Sequence, residues 1–251
     1  MTELKEALTR LAAVRRLLVA MDFDGVLAPI VDVPSAARPL PESASALGML
    51  ATLPDTTVAL VSGRGLADLA AVSRFGAPIR LVGSHGAEFD DGAHVVDAAA
   101  RARLERLVTE VTDLVGGEPG VRLEHKPTGV AVHVRGADPD VAERVLDAVR
   151  RGPAAADGVT VTPGKAVLDL AVVSVSKGSA IDRLRAQVHA DAVLFVGDDV
   201  TDETAFARLR SQDVGVKVGD GETAARFRVP DPPAVAGLLR DLLAARSGGH
   251  P

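Results

Sequence analysis

Apolar and polar positions along this chain alternate between two kinds of run. Short, continuous apolar stretches at Leu17–Met21, Val58–Val61, Ile79–Val82, Ala192–Val196 and Val214–Val218 read as buried β-strands. Between them, apolar residues recur at helical spacing over Glu42–Leu53, Leu66–Ser73, Gly178–His189 and Ala234–Ala245. Strands alternating with helices predict parallel βαβ units. The middle has another grammar. An apolar stripe of Leu104, Leu107, Val108, Val111, Leu114 and Val115 predicts a helix. Strands at Val121–Glu124 and Val130–Arg135 follow, joined by a hairpin turn over Lys126-Pro127-Thr128-Gly129. A second stripe (Val141, Val145, Leu146, Val149) precedes strands at Gly158–Thr162 and Val167–Val173. Helix-strand-strand, repeated once, is an α+β module. The expected architecture is an α/β, doubly wound, Rossmann-like parallel-sheet core of residues 1–99 and 175–251, interrupted by an inserted α+β domain of residues 100–174.

Composition narrows the class. A chain of 251 residues has room for one large or two modest domains. The net charge of −6 lacks the basic face that non-specific nucleic-acid binding needs. Without cysteine there is neither a disulfide framework nor a thiolate metal site, and a cytoplasmic location is expected. Met1 to Arg16 mixes leucines with six charged residues and reads as a surface helix, not a signal peptide. No apolar run reaches membrane-spanning length.

The candidate chemistry stands where strands end. Asp22-Phe23-Asp24-Gly25, Ser62-Gly63-Arg64 and Gly197-Asp198-Asp199 each follow an apolar run, and Lys177-Gly178 opens a helix. In open parallel sheets, ligands bind beyond the carboxyl ends of the strands, so these segments are expected to converge. Asp22 and Asp24 share one face of extended backbone. One carboxylate can attack phosphorus while the other exchanges protons with the leaving oxygen and with water. The plainer reading is a strand-end cap and an Asx-turn. Ser62 on its own reads first as a helix N-cap, although its hydroxyl and nearby N–H groups could grip phosphate. An ammonium at a helix N-terminus opposes the macrodipole unless an anion sits there, which favours a functional Lys177. Residues 197–203 hold four acidic side chains in seven positions, a concentration that calls for a cation. A helix start accounts well for Asp202 and Glu203 and less well for Asp198 and Asp199. In the inserted domain Glu124 and Lys126 alternate on one strand, His133 and Arg135 on the next, and Lys165 and Asp169 flank the start of another. Such a face suits a hydroxyl-rich anion, and equally suits solvated cross-strand pairs. His85 is a loop histidine to which the residues alone assign no role.

The four strand-end and helix-start segments resemble the four motifs of the haloacid dehalogenase superfamily of phosphatases. The segments 83–88, 123–127, 130–135 and 197–203 narrow the resemblance to its trehalose-6-phosphate phosphatases, over about Leu18 to Val218. The resemblance implies a Mg²⁺-dependent hydrolase of trehalose 6-phosphate, with the inserted domain as a cap. It implies catalytic roles for Asp22 (nucleophile), Asp24 (acid/base), Ser62 and Lys177. Substrate contacts are expected from Arg64, His85, Glu124, Lys126, Arg135, Lys165 and Asp169, and metal contacts from Asp22, Asp24 (through its carbonyl), Asp198 and Asp199. It also implies a monomer acting on a small sugar phosphate, without nucleic-acid or membrane partners, linked by pathway to a trehalose-phosphate synthase. Three positions depart from the pattern: Val26 stands for threonine, Asp169 for glutamate, and residues 170–175 lack a basic residue. A phosphatase of sucrose or glucosylglycerol phosphate is the nearest rival. A non-catalytic, sugar-phosphate-binding regulatory module is the rival of another class.

Overall fold

The apolar runs at 17–21, 192–197 and 214–218 form neighbouring strands because each is buried along its whole length, as a sheet covered on both faces requires. The computed structural model describes residues 2–92, 98–164, 166–173 and 175–248. In chain order the first elements are α1 (Thr2–Ala12), β1 (Leu17–Met21), α2 (Pro41–Leu50), β2 (Thr56–Val61), α3 (Leu66–Ser73), β3 (Arg80–Gly83) and β4 (Glu88–Phe89). Then come α4 (Ala98–Val115), β5 (Arg122–Lys126), β6 (Gly129–His133), α5 (Pro139–Arg151), β7 (Thr160–Gly164) and β8 (Val167–Ala171). The chain closes with α6 (Lys177–Val188), β9 (Ala192–Gly197), α7 (Glu203–Phe206), β10 (Val214–Val218), β11 (Phe227–Val229) and α8 (Pro232–Gly248).

Two compact units result, Met1–Ala93 with Ser176–Pro251, and His94–Val175. The first is built on a seven-stranded sheet ordered β11-β10-β9-β1-β2-β3-β4, parallel except for the β3–β4 pair. Strand β1 lies at its centre, so the residue after Met21 emerges between the ends of β2 and β9.

Several details differ from the sequence expectation. Helix α2 stops at Leu50 rather than Leu53, because Pro54 disfavours helical backbone just before it. Helix α1 is not merely superficial: Ala7, Leu8, Leu11 and Ala12 are buried in the core. The two- and three-residue edge strands β4 and β11 carry no strand-length pattern.

The C-terminal helix is tied down by a buried cation. Arg246, 1 % exposed, donates to the carbonyls of Ala12, Val14, Arg15 and Asp55 and to Thr56 Oγ1. Its guanidinium thereby satisfies the chain between α1 and β1 and the entry to β2.

The second unit is an antiparallel sheet, β5-β6-β8-β7, with two helices. Val130, Val132, Leu168 and Leu170 are buried with Leu107, Val111 and Val115 of α4 and Val145 and Val149 of α5. Alternation sends the other residues to the opposite face. There Glu124, Ala131, Asp169 and Thr162 stand in one cross-strand row, with Lys126, Gly129, Ala171 and Thr160 in a row on the same face. Strand β6 ends at His133, so Arg135, expected on the strand, sits exposed in the following turn.

Candidate active site

Asp22, Asp24, Ser62, Arg64, His85, Lys177, Asp198 and Asp199 all line one cleft of about 690 Å³ in the first unit, beyond the strand ends. A larger groove, about 850 Å³ among α1, β11 and α8, holds exposed arginines and the Lys5–Asp241 ion pair. It lacks a buried carboxylate–ammonium centre, so the chemistry points to the smaller cleft.

At that centre lies Asp22, 5 % exposed. One carboxylate oxygen accepts from the backbone N–H of Phe23 at 2.6 Å and the other from Lys177 Nζ at 2.6 Å. Lys177, 2 % exposed, also donates to Asp202 at 2.7 Å. It opens helix α6, whose Ser176 and Ser179 close a capping box, and the two carboxylates offset its unfavourable place at the positive end of the dipole. Burial raises Asp22 to about 7, against the opposing pull of Lys177. Burial alone would lower Lys177; Asp22 and Asp202 outweigh that and hold it above its ordinary value.

Gly25 turns the chain with φ 74°, and a Cβ there would collide with the Asp198 carboxylate. Asp198 is raised to about 6, first by burial and then by Asp202. One carboxylate oxygen each from Asp22, Asp198 and Asp202 lies within 4.8 Å of the other two. Asp202 is already committed: one oxygen takes Lys177, and the other accepts from the N–H groups of Asp198 and Asp199, both at 2.9 Å. Each Asp22 oxygen carries one protein contact and keeps a lone pair, so Asp22 and Asp198 are the two carboxylates of the cluster that could hold a cation. Two hard carboxylates at a water-accessible cleft fit Mg²⁺, which keeps much of its hydration. Asp199, also expected as a metal contact, and the side chain of Asp24, whose expected metal contact is its carbonyl, add no carboxylate oxygen to this cluster. The Asp24 carboxylate is paired with Arg64, and Asp199 caps the following turn through the N–H of Val200.

Ser62 is buried, and its hydroxyl accepts from the N–H of Arg64 at 3.2 Å. Its loop is stitched to the next: His85 N–H donates to the Ser62 carbonyl and Ser84 N–H to that of Arg64. Ser84 and His85 both hold positive φ (49° and 56°), a strained pair. The His85 ring lies so close to Gly63 that any Cβ there would clash. Val26, the departure noted beside the nucleophile, is fully buried in the apolar core.

In the second unit Lys126 pairs with Asp169, and His133 with Glu124 at 2.8 Å. Lys165 lies outside the described residues.

Sequence reasoning missed two contributors. Asp202, fully buried, was explained as a helix-start residue. The Asp199-x-x-Asp202 spacing of a capping box was its available signal. Lys217, also buried, donates to the carbonyl of Asp198. A lysine inside the apolar run Val214–Val218 was the clue.

A central parallel sheet with an acidic centre at its strand ends is the architecture of haloacid dehalogenase-like hydrolases. A Bacillus subtilis protein of that description superposes with TM-score 0.58 at 17 % identity, covering 89 % of this chain and 98 % of its own, which bears on the fold alone. Within that class, the chain belongs to the trehalose-phosphatase family, whose model matches residues 20–233. A Mycobacterium marinum trehalose-phosphate phosphatase is 40 % identical over 94 % of this chain and 65 % of its own length. The Aspergillus fumigatus trehalose-6-phosphate phosphatase structure has TM-score 0.74 at 26 % identity, covering 96 % of this chain and 97 % of its own. The chain spans 60 % to 65 % of the length of the mycobacterial relatives M. marinum and M. leprae. No helix among the described residues is long and apolar enough to cross a membrane.

Proposed function

We propose that this chain hydrolyses trehalose 6-phosphate to trehalose and phosphate through an aspartyl-phosphate at Asp22. The carrying observation is a buried, lysine-held carboxylate at the end of the central strand, with a second carboxylate two residues on, both lining one cleft.

In the first step an Asp22 oxygen attacks phosphorus, the P–O bond to the sugar breaks, and Asp24 gives its proton to the departing oxygen. In the second, Asp24 takes a proton from water and the resulting oxygen nucleophile attacks the same phosphorus. The acyl phosphate bond breaks, restoring the Asp22 carboxylate and releasing phosphate. Lys177 offsets charge on the transferred group, while the Ser62 hydroxyl holds one of its oxygens. Bound Mg²⁺, held by the Asp22 and Asp198 carboxylates and the Asp24 carbonyl, would add charge stabilisation at the phosphoryl oxygens. Asp202 and Lys217 fix the loop that presents Asp198.

Recognition of the sugar belongs, in this reading, to the second unit as a cap. The polar sheet face with Glu124, Lys126 and Asp169 supports it, since it offers donors and acceptors around the small residues Gly129, Ala131 and Ala171. Arg135 and Lys165 join the set by resemblance, and His85 and Asp199 belong with the cleft of the first unit. A cytoplasmic monomer linked to a trehalose-phosphate synthase is part of the same proposal and rests on the family resemblance.

The test is phosphate release from trehalose 6-phosphate beside glucose 6-phosphate and sucrose 6-phosphate, with and without Mg²⁺. Preference for trehalose 6-phosphate with Mg²⁺ supports the reading. Preference for sucrose 6-phosphate would reassign the substrate, and no release from any ester would favour a binding module.

A further inference from the structure

We infer that Arg64 is a positioning residue for Asp24, fixing the acid/base carboxylate rather than gripping the transferred phosphate; this rests on the hydrolase reading above. Arg64 Nε donates to one Asp24 oxygen at 2.6 Å and a terminal nitrogen to the other at 2.8 Å, a two-point fork. That terminal nitrogen also donates to the Pro34 carbonyl at 2.9 Å, and its partner to Asp68 at 2.7 Å. Four contacts therefore engage a group with five N–H donors, which leaves no second fork for a phosphate.

The guanidinium is itself immobilised. Its side chain is 11 % exposed and lies 5.7 Å from the centre of the Phe23 ring, while its backbone is bonded to Ser62 Oγ and to Ser84 N–H. The Asp24 carboxylate, 32 % exposed on a strand-end turn, would otherwise be free to rotate into solvent. Each carboxylate oxygen has two lone-pair directions, so a fork that uses one on each leaves the others for a leaving oxygen or a water. Holding a proton-transfer group in register with the reacting atom is a large part of its contribution to rate.

A phosphate grip and a positioning role part company on leaving-group chemistry. An alkyl phosphate needs the proton from Asp24; 2,4-dinitrophenyl phosphate, whose leaving group is stable as an anion, does not. Arg64→Ala should lower kcat for trehalose 6-phosphate by about ten- to a hundredfold, and leave the burst rate of dinitrophenolate release and the inhibition constant of inorganic phosphate unchanged. Asp24→Asn should show the same split, more severely. Arg64→Lys keeps the charge between Asp24, Asp68 and Pro34 and should fold while losing part of the rate, because one ammonium cannot make the fork. A slower dinitrophenolate burst, or weaker phosphate inhibition, in either Arg64 variant would overturn the assignment. A wild type inert toward both esters would instead overturn the hydrolase reading on which it rests.

Discussion

Lys177 Nζ lies 2.6 Å from an oxygen of Asp22, although 155 positions separate the two residues in the chain. The contact joins the end of the central strand to the start of the helix that follows the second unit, and it sets the charge balance of the whole site. The same ammonium reaches Asp202, whose second oxygen holds the loop carrying Asp198. Asp22, Lys177, Asp202 and the loop carrying Asp198 form one connected network.

That network predicts a structural as well as a catalytic penalty. Asp202→Ala leaves Lys177 short of one partner in a buried setting and frees two backbone N–H groups, so a loss on the order of 3–5 kcal/mol is expected. Denaturant unfolding checks it. A change within experimental error would mean that Asp202 does not organise the site.

Asp24→Asn should behave differently. The fork to Arg64 loses its charge in this variant, so the melting temperature should fall modestly with the fold retained, while turnover of trehalose 6-phosphate falls by about a hundredfold or more. A variant that retains wild-type turnover would remove Asp24 from the mechanism.

The raised carboxyls give a signed pH prediction. Asp22 at about 7 and Asp198 at about 6 bind protons more tightly than at the ordinary 3.8, so the metal-free fold should lose stability as pH rises from about 4 through about 7. Cation binding needs the ionised forms and therefore competes with protons. The gain in melting temperature on adding Mg²⁺ should be larger at pH 7.5 than at pH 5.5, and Asp198→Ala should remove it. Equal gains at both pH values would contradict the assignment of these carboxylates to the cation.

Substrate choice should follow the second unit. Glu124→Ala and Lys126→Ala are expected to depress kcat/KM for trehalose 6-phosphate roughly tenfold to a hundredfold, and to spare p-nitrophenyl phosphate. The checked quantity is the ratio of the two kcat/KM values. An unchanged ratio would return Glu124 and Lys126 to the role of solvated partners of His133 and Asp169.

Arg246 offers a test of the fold apart from the site. Arg246→Ala removes five hydrogen bonds and strands buried carbonyls, which should cost on the order of 3 kcal/mol with little change in kinetic constants. Thermal melts read beside kcat/KM separate the two effects.

The parts legible in the sequence are those written locally. Strands buried on both faces appear as unbroken apolar runs, and strand-end carboxylates follow them directly, so Asp22, Asp24 and Asp198 stood out before any fold was known. Edge strands β4 and β11 are too short to show a period. The pairings of Arg64 with Asp24, 40 positions away, and of Lys217 with the Asp198 carbonyl, 19 away, exist only once the sheet is assembled. Asp202 looked like an ordinary helix-start acid because its partner Lys177 comes from another element altogether.

The most direct test of the account is phosphate release from trehalose 6-phosphate by the wild type and Asp22→Asn side by side in Mg²⁺ buffer, with the protein trapped for covalent phosphate. The wild type should turn over and carry an acid-stable, base-labile phosphoenzyme, and Asp22→Asn should do neither while remaining folded. Sustained turnover by a folded Asp22→Asn protein would contradict the central claim.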